Sequence, residues 1–524
     1  MEYNNPSEIV KDLTFGKEAS DKIMSGVEKL AQAVSSTLGA SGKCVIYEDA
    51  LGKPVITKDG VTVAESVVLM DPVENMGATL IKEAARNTVK QAGDGTTTAT
   101  VLAHAILKSL RESDIDFREL KSGVNSALEK VLKYIDSVKK DVTDENIEDV
   151  ASISTNNDSD LGYTIAQAYR FVGRNGVVLM EESESEKTYI EFEKGVNFDS
   201  GLKSQHFATN EENDKCELDN PYILISKTPI ESIRKIQAIL EFVIKEKRSL
   251  LIIGEVAQQP MSALLMNKVK GNIKVNVVDL PGFGPTKMDT LQDLAILTGA
   301  KLIDESLGDD MELMDPSVLG TSAKSVTDNK NTVLKIDDDV FGLDDRIKSV
   351  EDKMSKEENP FIKKKLEQRL AMLTGSLSVI KVGAQSKVEL KEKKDRVEDA
   401  IYAVKAALQE GIVPGGGVAL VDASLKVKTS SEAENVLIKA ITKPFFKILE
   451  NSGFDGVQET IENKRAGKGI DVTTGKTVDM VKVGIIDPAL VTKTALKNAV
   501  SVALTIMSAD CVISNKRIGD ESDK

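Results

Sequence analysis

The spacing of apolar residues changes twice along this chain, and that change constrains the fold more than any single motif does. In the first ~135 residues, apolar side chains recur at the period of an amphipathic helix, as in KIMSGVEKLAQAVSSTL from Lys22 to Leu38. Between about residues 195 and 375 short apolar runs alternate with helical patterns, and after Lys391 the helical period returns. Alternating strands and helices are typical of an α/β domain. The sequence therefore predicts a mostly helical domain that is split by an inserted α/β domain.

Shorter patterns predict individual elements in both parts. In the N-terminal part we expect a strand pair over Cys44–Ile56, with its turn at Ala50–Lys53, and helices over Asn75–Gln91 and from Thr97 to about Arg111. In the inserted part, YILISK, SLLIIGEV and IKVNVVDL read as strands, and ESIRKIQAILEFVIKEK and MSALLMNKVKG read as helices. Its end reads as two highly charged helices interrupted near Pro360, which favours a solvated helical hairpin over a binding function.

Composition restricts the possible classes of protein. At 524 residues the chain is expected to form about two to four domains, since one domain usually holds about 100–200 residues. With 41% apolar and 29% charged residues it reads as an ordinary globular protein. The formal net charge of −15 argues against nucleic acid and anionic membranes as partners, because both favour a basic surface.

Cysteine and histidine usage points to a reducing, cytoplasmic location. Cys44, Cys216 and Cys511 are far apart and form no CxxC pair, and His104 and His206 are the only histidines. A disulfide framework and a zinc site are therefore not expected. The acidic N-terminal segment has no hydrophobic core of the signal-peptide kind, and no uncharged apolar run reaches the ~18 residues that span a bilayer.

The stretch QAGDGTTTATVLAHAIL, from Gln91 to Leu107, places an acid between two glycines directly before a predicted helix. A helix N-terminus exposes unpaired N–H groups, Gly93 and Gly95 allow close approach of the backbone, and threonine hydroxyls add donors, a combination that suits phosphate. Asp94 would repel phosphate unless a divalent cation such as Mg²⁺ lies between them. Capping of the helix by Asp94 and the threonines explains the same residues equally well. The chain has no GxxxxGK[ST], so a P-loop NTPase is not supported.

Other glycine-rich turns favour a ligand site. They are TLGASGK at 37–43, ITKDGVTVAES at 56–66 and PGGGVAL at 414–420, with further acids in VEDA and in GIIDPALV at 484–491. Each signal is weak alone, and PGGG is also compatible with a linker. Together, in both halves of one split domain, they predict a single site assembled from distant segments.

Several of these motifs carry a resemblance to a known family. DGTTTATVL, ITKDGVTVA, ENMGA, KVELKEKKDRVEDA, GIVPGGGVAL, PGFG and LQDLAILTG occur collinearly between about Leu13 and Cys511. The chain thereby resembles the group I chaperonins, the bacterial and organellar sixty-kilodalton folding machines, and is identified as a divergent member.

The resemblance implies a multidomain α+β fold. A mostly helical, split equatorial ATPase domain would span about 1–137 and 410–524, a small α/β intermediate hinge domain about 138–194 and 376–409, and an inserted α/β apical substrate-binding domain about 195–375. It also implies a homo-oligomeric ring of seven subunits, single or double. Such rings use ATP to capture, enclose and release unfolded or partly folded polypeptides, usually with a small co-chaperonin.

The resemblance further implies a site for ATP with Mg²⁺ and K⁺. Asp94 would hold Mg²⁺, and Asp399 would swing in from the hinge domain to orient or deprotonate the attacking water, with Asp59 on the opposite side. The implied neighbours of K⁺ are Thr37, Lys58 and Thr97. Gly95, Thr96, Thr97 and Thr98 would contact phosphate oxygens, and Thr37, Leu38 and Gly39 would line the phosphate and base side. Gly416 and Asp487 would hold the ribose, and Asp471, Val472 and Ile485 would border the adenine. The remaining implied nucleotide-binding residues are Gly60, Gly415, Ile153 and Ser154.

In the family, unfolded chains bind to exposed apolar side chains of two apical helices and one extended segment. The matching positions are Leu202, Phe207, Ile236, Leu240, Met261, Leu265 and Met266. Ordinary core packing would explain the helical apolar residues without the resemblance.

Four features depart from the family pattern. They are Ala40-Ser41 in place of Pro-Lys, Lys387 and Ser200 at the positions of an inter-subunit salt bridge, the polar His206 and Gln237 in the substrate groove, and a charged tail with Lys516 and Arg517 in place of Gly-Gly-Met. The salt bridge is therefore expected to be absent. These departures leave a second hypothesis open, in which the chain forms a ring-shaped holdase or scaffold for particular partners.

Overall fold

The computed structural model describes residues 11–49, 51–155, 157–173, 176–210, 214–280, 284–336, 342–357, 359–454 and 466–515. Ala50 of the predicted turn, most of the PGFG motif and the tail with Lys516 and Arg517 lie outside the described residues. The chain divides into two compact units. We call residues 1–167 with 382–524 the split unit, and residues 168–381 the inserted unit.

The first part of the chain is mainly helical. Its helices are α1 (Gly16–Ser35), α2 (Gly60–Ser66), α3 (Pro72–Ala92), α4 (Thr96–Arg111), α5 (Phe117–Val138), α6 (Asp144–Ser154) and α7 (Ser159–Val172). Its strands are β1 (Lys11–Phe15), β2 (Val45–Glu48) and β3 (Pro54–Thr57), and the last two form the predicted hairpin.

The middle of the chain alternates strands and helices. Its strands are β4 (Val177–Glu182), β5 (Tyr189–Phe198), β6 (Cys216–Asp219), β7 (Tyr222–Ser226), β8 (Leu250–Ile253), β9 (Val275–Val278), β10 (Leu302–Ile303), β11 (Gly320–Thr321), β12 (Lys324–Thr327), β13 (Thr332–Lys335) and β14 (Ser376–Val382). Its helices are α8 (Gln237–Glu246), α9 (Gln258–Val269), α10 (Gly284–Thr298), α11 (Leu343–Lys356) and α12 (Pro360–Leu373).

The last part returns to helices. They are α13 (Lys387–Glu410), α14 (Val418–Lys426), α15 (Glu432–Ala440), α16 (Lys443–Asn451) and α17 (Ala489–Met507). Short strands connect them: β15 (Ile412–Pro414), β16 (Lys468–Asp471), β17 (Lys476–Asp479), β18 (Ile486–Pro488) and β19 (Cys511–Asn515).

The split unit has one large apolar core that both parts of its sequence share. Residues from α1, α3, α4 and α5 pack with residues from α15 and α17, among them Leu30, Ile81, Leu102, Val124 and Leu496, which are all fully buried. β1 pairs antiparallel with β19 and so joins the two ends of the described chain. The prediction of one helical domain split in sequence is confirmed.

Helix α17 is the one described helix with the length and hydropathy of a membrane span. In the structure, 61% of its apolar window is buried, and Leu496, Ala499 and Val500 lie in the core of the split unit. Its hydrophobicity is therefore explained by core packing.

The inserted unit is built on two sheets. β10, β7, β8 and β9 lie side by side in parallel, with β11 antiparallel on β7. The six-stranded sheet has the order β4-β14-β5-β13-β12-β6. Two apolar clusters fill the unit, one around Ile223 and Leu294 and one around Ile236 and Val277. The α/β insertion, its three predicted apolar strands and the helical pair α11 and α12 are confirmed, whereas the finer division into three domains stays a prediction.

Candidate functional site

The turn between α3 and α4 carries Asp94. Gly93 and Gly95 take left-handed φ angles of 79° and 100°, which side chains with a β-carbon rarely adopt. Gly95 precedes the first residue of α4, and no side chain caps that helix. The Asp94 carboxylate accepts a hydrogen bond from the N–H of Gly95 alone among the described contacts. The structure therefore does not use Asp94 as a helix cap, and the N-terminus of this 16-residue helix has the dipole and donors of an anion site.

Two long helices approach this turn at its glycines. A β-carbon built on Gly93 would lie 2.3 Å from Cβ of Tyr402 on α13, and one built on Gly95 would lie 2.8 Å from Cγ1 of Val491 on α17. Both distances are shorter than any real carbon contact. The glycines are therefore required by close packing as well as by their φ angles, and they hold Asp94 between α13 and α17.

The start of α2 brings a second carboxylate to the same place. Asp59 caps α2, accepting from the N–H groups of Val61 at 3.1 Å and Thr62 at 2.7 Å. A β-carbon on Gly60 would lie only 2.2 Å from the hydroxyl oxygen of Thr97 in the first turn of α4. Since α2 and α4 begin side by side, Asp59 is close enough to Asp94 to raise its pKa.

Asp399 faces this pair from α13. The pKa of Asp399 is raised well above its ordinary value. Burial is the largest cause, and the carboxylates of Asp94 and Asp59 are the next largest. Burial also raises the pKa of Asp94, with Asp59 adding to the shift, while the hydrogen bond from Gly95 acts in the opposite direction. The structure thus brings together the three acids that were predicted from separate motifs.

Asp487 on β18 completes the cluster. Burial and then the carboxylate of Asp94 raise the pKa of Asp487 to about 7, against the effect of hydrogen bonds from the N–H groups of Gly417 and Gly416. Strand β18 pairs with β15, which places Asp487 opposite Val413. The PGGG run is therefore no linker, because its backbone holds an acid of the site.

We call Asp59, Asp94, Asp399 and Asp487 the carboxylate recess. Each keeps part of its surface accessible, although burial is the largest cause of the raised pKa of Asp94, Asp399 and Asp487. Within the described ranges no three His, Cys, Asp or Glu side chains are arranged to hold a metal ion by themselves. A concentration of carboxylates suits a cation whose remaining ligands come from a bound anion.

An apolar cluster adjoins the glycine run. Val418, Phe445 and Met480 form its buried part, and Val472 and Ile485 pack against it half-buried. The Met480 methyl group lies 3.4 Å from a β-carbon built on Gly416. Two of the residues predicted to border a base therefore lie beside the glycines predicted to hold a ribose.

Asp471 and helix α6 lie at the periphery of this region. Asp471 opens the β16–β17 turn and accepts hydrogen bonds from the N–H and hydroxyl of Thr473, at 2.9 and 2.6 Å. On α6, the carboxylate of Asp149 lies 2.6 Å from a β-carbon built on Gly484, directly before Ile485. Helix α6 therefore contacts the segment before Ile485, and the half-buried Ile153 and Ser154 lie at the end of this helix.

The loop after α1 is fixed by backbone contacts. The side-chain amide of Asn451 donates to the carbonyls of Ser35 and Leu38, both at 2.9 Å, and Gly39 has a φ of 86°. The hydroxyl of Thr37 donates to the carbonyl of Val34 at 2.8 Å.

The predicted potassium neighbours are not joined directly. In the described part of the chain, no hydrogen bond links Thr37 or Lys58 to Thr97. Ala40 and Ser41, which replace a proline and a lysine, are exposed.

The predicted substrate positions lie in the inserted unit, and two of them need correction. Phe207 and Ile236 are fully buried among Leu224, Ile239 and Val243, so they are core residues in this structure and are not available to a polypeptide. Met266 is 59% exposed. The half-buried positions are Leu202, Leu240, Met261 and Leu265.

Three of the residues that depart from the family pattern, belonging to two of the four departures, have defined surroundings in the structure. Ser200 is buried and donates to the carbonyl of Asp279 at 2.8 Å, so it cannot take part in a surface salt bridge. Lys387 is the exposed first residue of α13. On α8, the Gln237 amide donates to Glu241 at 2.7 Å, which makes that face polar.

Sequence reasoning missed the residues that hold the site from behind. Tyr402 and Asp149 lie in none of the motifs, and GIIDPALV was noted for its acid and not for Gly484 or Val491. The roles of these four residues arise only when distant segments pack together. The nearest signal was the helical spacing of Asp399 and Tyr402, which places them on one face of α13.

Comparison with known proteins gives one family and one fold. A model of the TCP-1/cpn60 chaperonin family matches residues 30–517. The chain is similar to the chaperonin gp146 from the bacteriophage EL 2 (Pseudomonas aeruginosa), solved in presence of ATP-BeFx. In crystal form II the identity is 22%, the match covers 96% of this chain and 99% of that chain, and the TM-score is 0.69. Crystal form I matches with the same identity and coverage and a TM-score of 0.63. The low identity fits a divergent member.

Proposed function

Since this chain belongs to the TCP-1/cpn60 chaperonin family and is therefore an ATP-dependent chaperonin, we propose that its carboxylate recess binds Mg-ATP and hydrolyses it. The observation that carries this proposal is the meeting of Asp94, Asp59 and Asp399 at the uncapped N-terminus of α4. The phage chaperonin with the same fold was solved in presence of ATP-BeFx, which supports the assignment.

Asp94 would hold the magnesium ion against the phosphates. One carboxylate together with phosphate oxygens is a usual ligand set for Mg²⁺, and the recess offers that carboxylate at the positive end of a helix. Gly95, Thr96, Thr97 and Thr98 would donate to the phosphate oxygens. When bound, the metal would neutralise charge on the phosphates and on Asp94.

Asp399 would orient or deprotonate the attacking water, with Asp59 on the other side. Phosphoryl transfer is mostly positioning and charge neutralisation, so one acid aimed at water suffices once the phosphates are held. Asp59 is fixed by three hydrogen bonds from Val61 and Thr62, which suits a residue that orients rather than moves.

The nucleoside would lie on the glycine run. Asp487 and Gly416 would hold the ribose, with Gly415 behind them. The base would rest on the apolar cluster beside Val472 and Ile485, with Asp471, Ile153 and Ser154 at its border. Leu38 and Gly39 would close the phosphate side, and Gly60 would allow the approach of Asp59.

Potassium would bind beside Thr97. The contact between Gly60 and the Thr97 hydroxyl supports this position, since a hydroxyl and backbone carbonyls are suitable hard ligands. Thr37 and Lys58 would contribute through their backbone oxygens, because the Lys58 ammonium would repel the ion.

Unfolded polypeptides would bind to the inserted unit through α8 and α9. Met266 is the exposed apolar residue of the predicted set, and methionine suits a promiscuous surface because it is flexible and polarisable. Leu202, Leu240, Met261 and Leu265 would add partly accessible surface. Burying one such side chain is worth about 1.5–3 kcal/mol, so several copies in a ring would be needed for tight capture.

The family forms ring oligomers that bind unfolded substrates. For this chain we propose a ring of seven subunits, single or double, that works in the cytoplasm with or without a small co-chaperonin. The buried Ser200 supports a ring whose subunits lack the usual salt bridge with residue 387. Negative-stain microscopy of the purified protein would give the number of rings.

A refolding assay tests the folding activity against a holdase. The polar Gln237 and the buried Phe207 and Ile236 leave room for the alternative of a holdase or scaffold for particular partners, because they reduce the apolar surface open to unfolded chains in general. A denatured client that regains activity only when ATP is added supports the folding machine. Suppressed aggregation without ATP-dependent recovery, with and without a co-chaperonin, supports the holdase.

A further inference from the structure

Tyr402 on α13 rests directly on Gly93 in the turn that carries Asp94. A β-carbon built on Gly93 would lie 2.3, 2.6 and 2.8 Å from Cβ, Cγ and Cδ1 of Tyr402. These atoms belong to the base of the side chain, so a simple rotation of the ring cannot remove the conflict. The absence of a side chain at residue 93 is therefore what allows α13 to come this close.

The contact lies on the same helix face as Asp399. Asp399, Tyr402, Ala406 and Glu410 are spaced by three or four residues, which aligns them along one side of a helix. Asp399 faces Asp94, Tyr402 rests on Gly93 and Ala406 clusters with Ala92 and Val491. Successive turns of α13 thus contact successive residues around the α3–α4 turn.

The end of the same face is fixed by charge. Glu410 forms an ion pair with Lys493 of α17, and Lys493 also bonds to Asp136 at 2.8 Å. The last turn of α13 is therefore anchored. Between this anchor and Asp399, the contact of Tyr402 with Gly93 restrains α13 about one helical turn from the Asp399 carboxylate.

We propose that Tyr402 is a positioning residue, and that its contact with Gly93 sets the distance between the Asp399 carboxylate and the Asp94 turn. This inference rests on the proposed ATP hydrolysis. Because residue 93 has no side chain, α13 would pack against the turn until the base of the Tyr402 side chain contacts the backbone of Gly93. That contact would fix the distance between the Asp399 carboxylate and the Asp94 turn. Tyr402 itself would touch neither nucleotide nor water.

The size of the effect follows from the distances. An added methyl group at Gly93 would need to move from 2.3 Å to an ordinary contact of about 3.5–4.0 Å, so α13 would retreat by about 1 Å or more. A misplacement of about 1 Å can cost about 10²-fold in rate. A substitution on α13 itself, at Tyr402, would change nucleotide binding little, since Asp94, the threonines and the glycine run do not lie on α13.

The test compares Gly93→Ala with a control that carries the same backbone strain. Gly299 has a φ of 69°, close to the 79° of Gly93, and nothing lies within 4 Å of its virtual β-carbon. We expect Gly93→Ala to lower the rate of ATP hydrolysis by about 10–100-fold. Gly299→Ala should hydrolyse ATP like the wild type.

If Gly93→Ala does not fold, two substitutions at Tyr402 test the inference instead. Tyr402→Phe keeps the atoms that contact Gly93 and should retain hydrolysis within about 3-fold, whereas Tyr402→Ala removes the ring and should lower the rate about 10-fold with unchanged Mg-ADP binding. Equal rates of ATP hydrolysis by Tyr402→Ala and wild type would overturn the inference. Equal losses of rate in Tyr402→Phe and Tyr402→Ala would also overturn it, because they would assign the role to the Tyr402 hydroxyl. A wild type without magnesium-dependent hydrolysis would refute the proposed function itself, so the two failures are distinguishable.

Discussion

The carboxylate of Asp399 on α13 faces that of Asp94 in the α3–α4 turn, and burial together with Asp94 raises the pKa of Asp399 well above its ordinary value. Two buried carboxyl groups of this kind repel each other unless one is protonated or a cation lies nearby. A cation bound between these carboxylates would explain why acids from distant motifs converge at the N-terminus of α4.

Replacing Asp94 should weaken nucleotide binding in the presence of magnesium and strengthen it in the absence of magnesium. In Asp94→Asn the metal loses its carboxylate ligand, so we expect Mg-ATP to bind at least about 10-fold more weakly than in the wild type. Without magnesium, ATP should bind more tightly to the variant, because the repulsion between carboxylate and phosphate is gone. Calorimetric titration with ATP, in magnesium and in EDTA, measures both effects. A variant weakened equally under both conditions would contradict the role of Asp94 as a metal ligand.

The pKa of Asp487 predicts a pH dependence of stability in the absence of nucleotide. The folded protein keeps a proton on Asp487 up to about pH 7, whereas the unfolded chain releases it near 3.8. Because the folded state binds more protons in this window, the free energy of unfolding should fall as pH rises from about 4 to about 7.

Asp487→Asn removes this one contribution. Thermal melts of the nucleotide-free proteins between pH 5 and pH 8 should show the variant gaining stability relative to the wild type as pH rises. The raised pKa values of Asp94 and Asp399 affect the stability with the same sign in both proteins. The difference in Tm between the variant and the wild type therefore reports the contribution of Asp487. A difference that is independent of pH would show that its pKa is not raised.

A charge on the exposed part of α9 should impair capture of unfolded protein. Met266→Glu places a carboxylate on a 59% exposed apolar position, where it would have to be desolvated when a polypeptide binds. We expect the amount of denatured client that is captured to fall about 10-fold, with unchanged ATP hydrolysis. The matched control is Ile362→Glu, which adds the same charge at a 43% exposed position on α12. If both variants capture clients like the wild type, α9 is not the capturing surface.

The architecture of the split unit could be predicted because periodicity is a local property that survives in the sequence. The helical spacing from Lys22 to Leu38 corresponds to α1, and the predicted helix over Asn75–Gln91 corresponds to α3 at Pro72–Ala92. The acids of the recess could be predicted because each belongs to a recognisable motif. Asp94 lies in DGTTT and Asp59 in TKDG.

What could not be predicted depends on tertiary packing. Phe207 and Ile236 have the same apolar character as Met266, and no local pattern shows that they are buried while Met266 is exposed. Likewise, the need for glycine at residue 93 is set partly by Tyr402, more than 300 positions away in the sequence. Such contacts are absent from any window of the sequence and become visible only when the two parts of the split unit are folded together.

Whether Asp94 and Asp399 form a metal-dependent ATPase site is best measured by the release of phosphate from ATP by wild type and Asp399→Asn, in the presence and absence of magnesium. We expect hydrolysis by the wild type to require magnesium. Asp399→Asn should bind Mg-ADP normally but turn over about 10²–10³-fold more slowly, the usual cost of losing a general base. Glu392→Gln, an exposed acid on the same helix paired with Arg396, should turn over like the wild type. Equal rates for Asp399→Asn and wild type, or no magnesium-dependent release by the wild type, would contradict the proposed ATPase site.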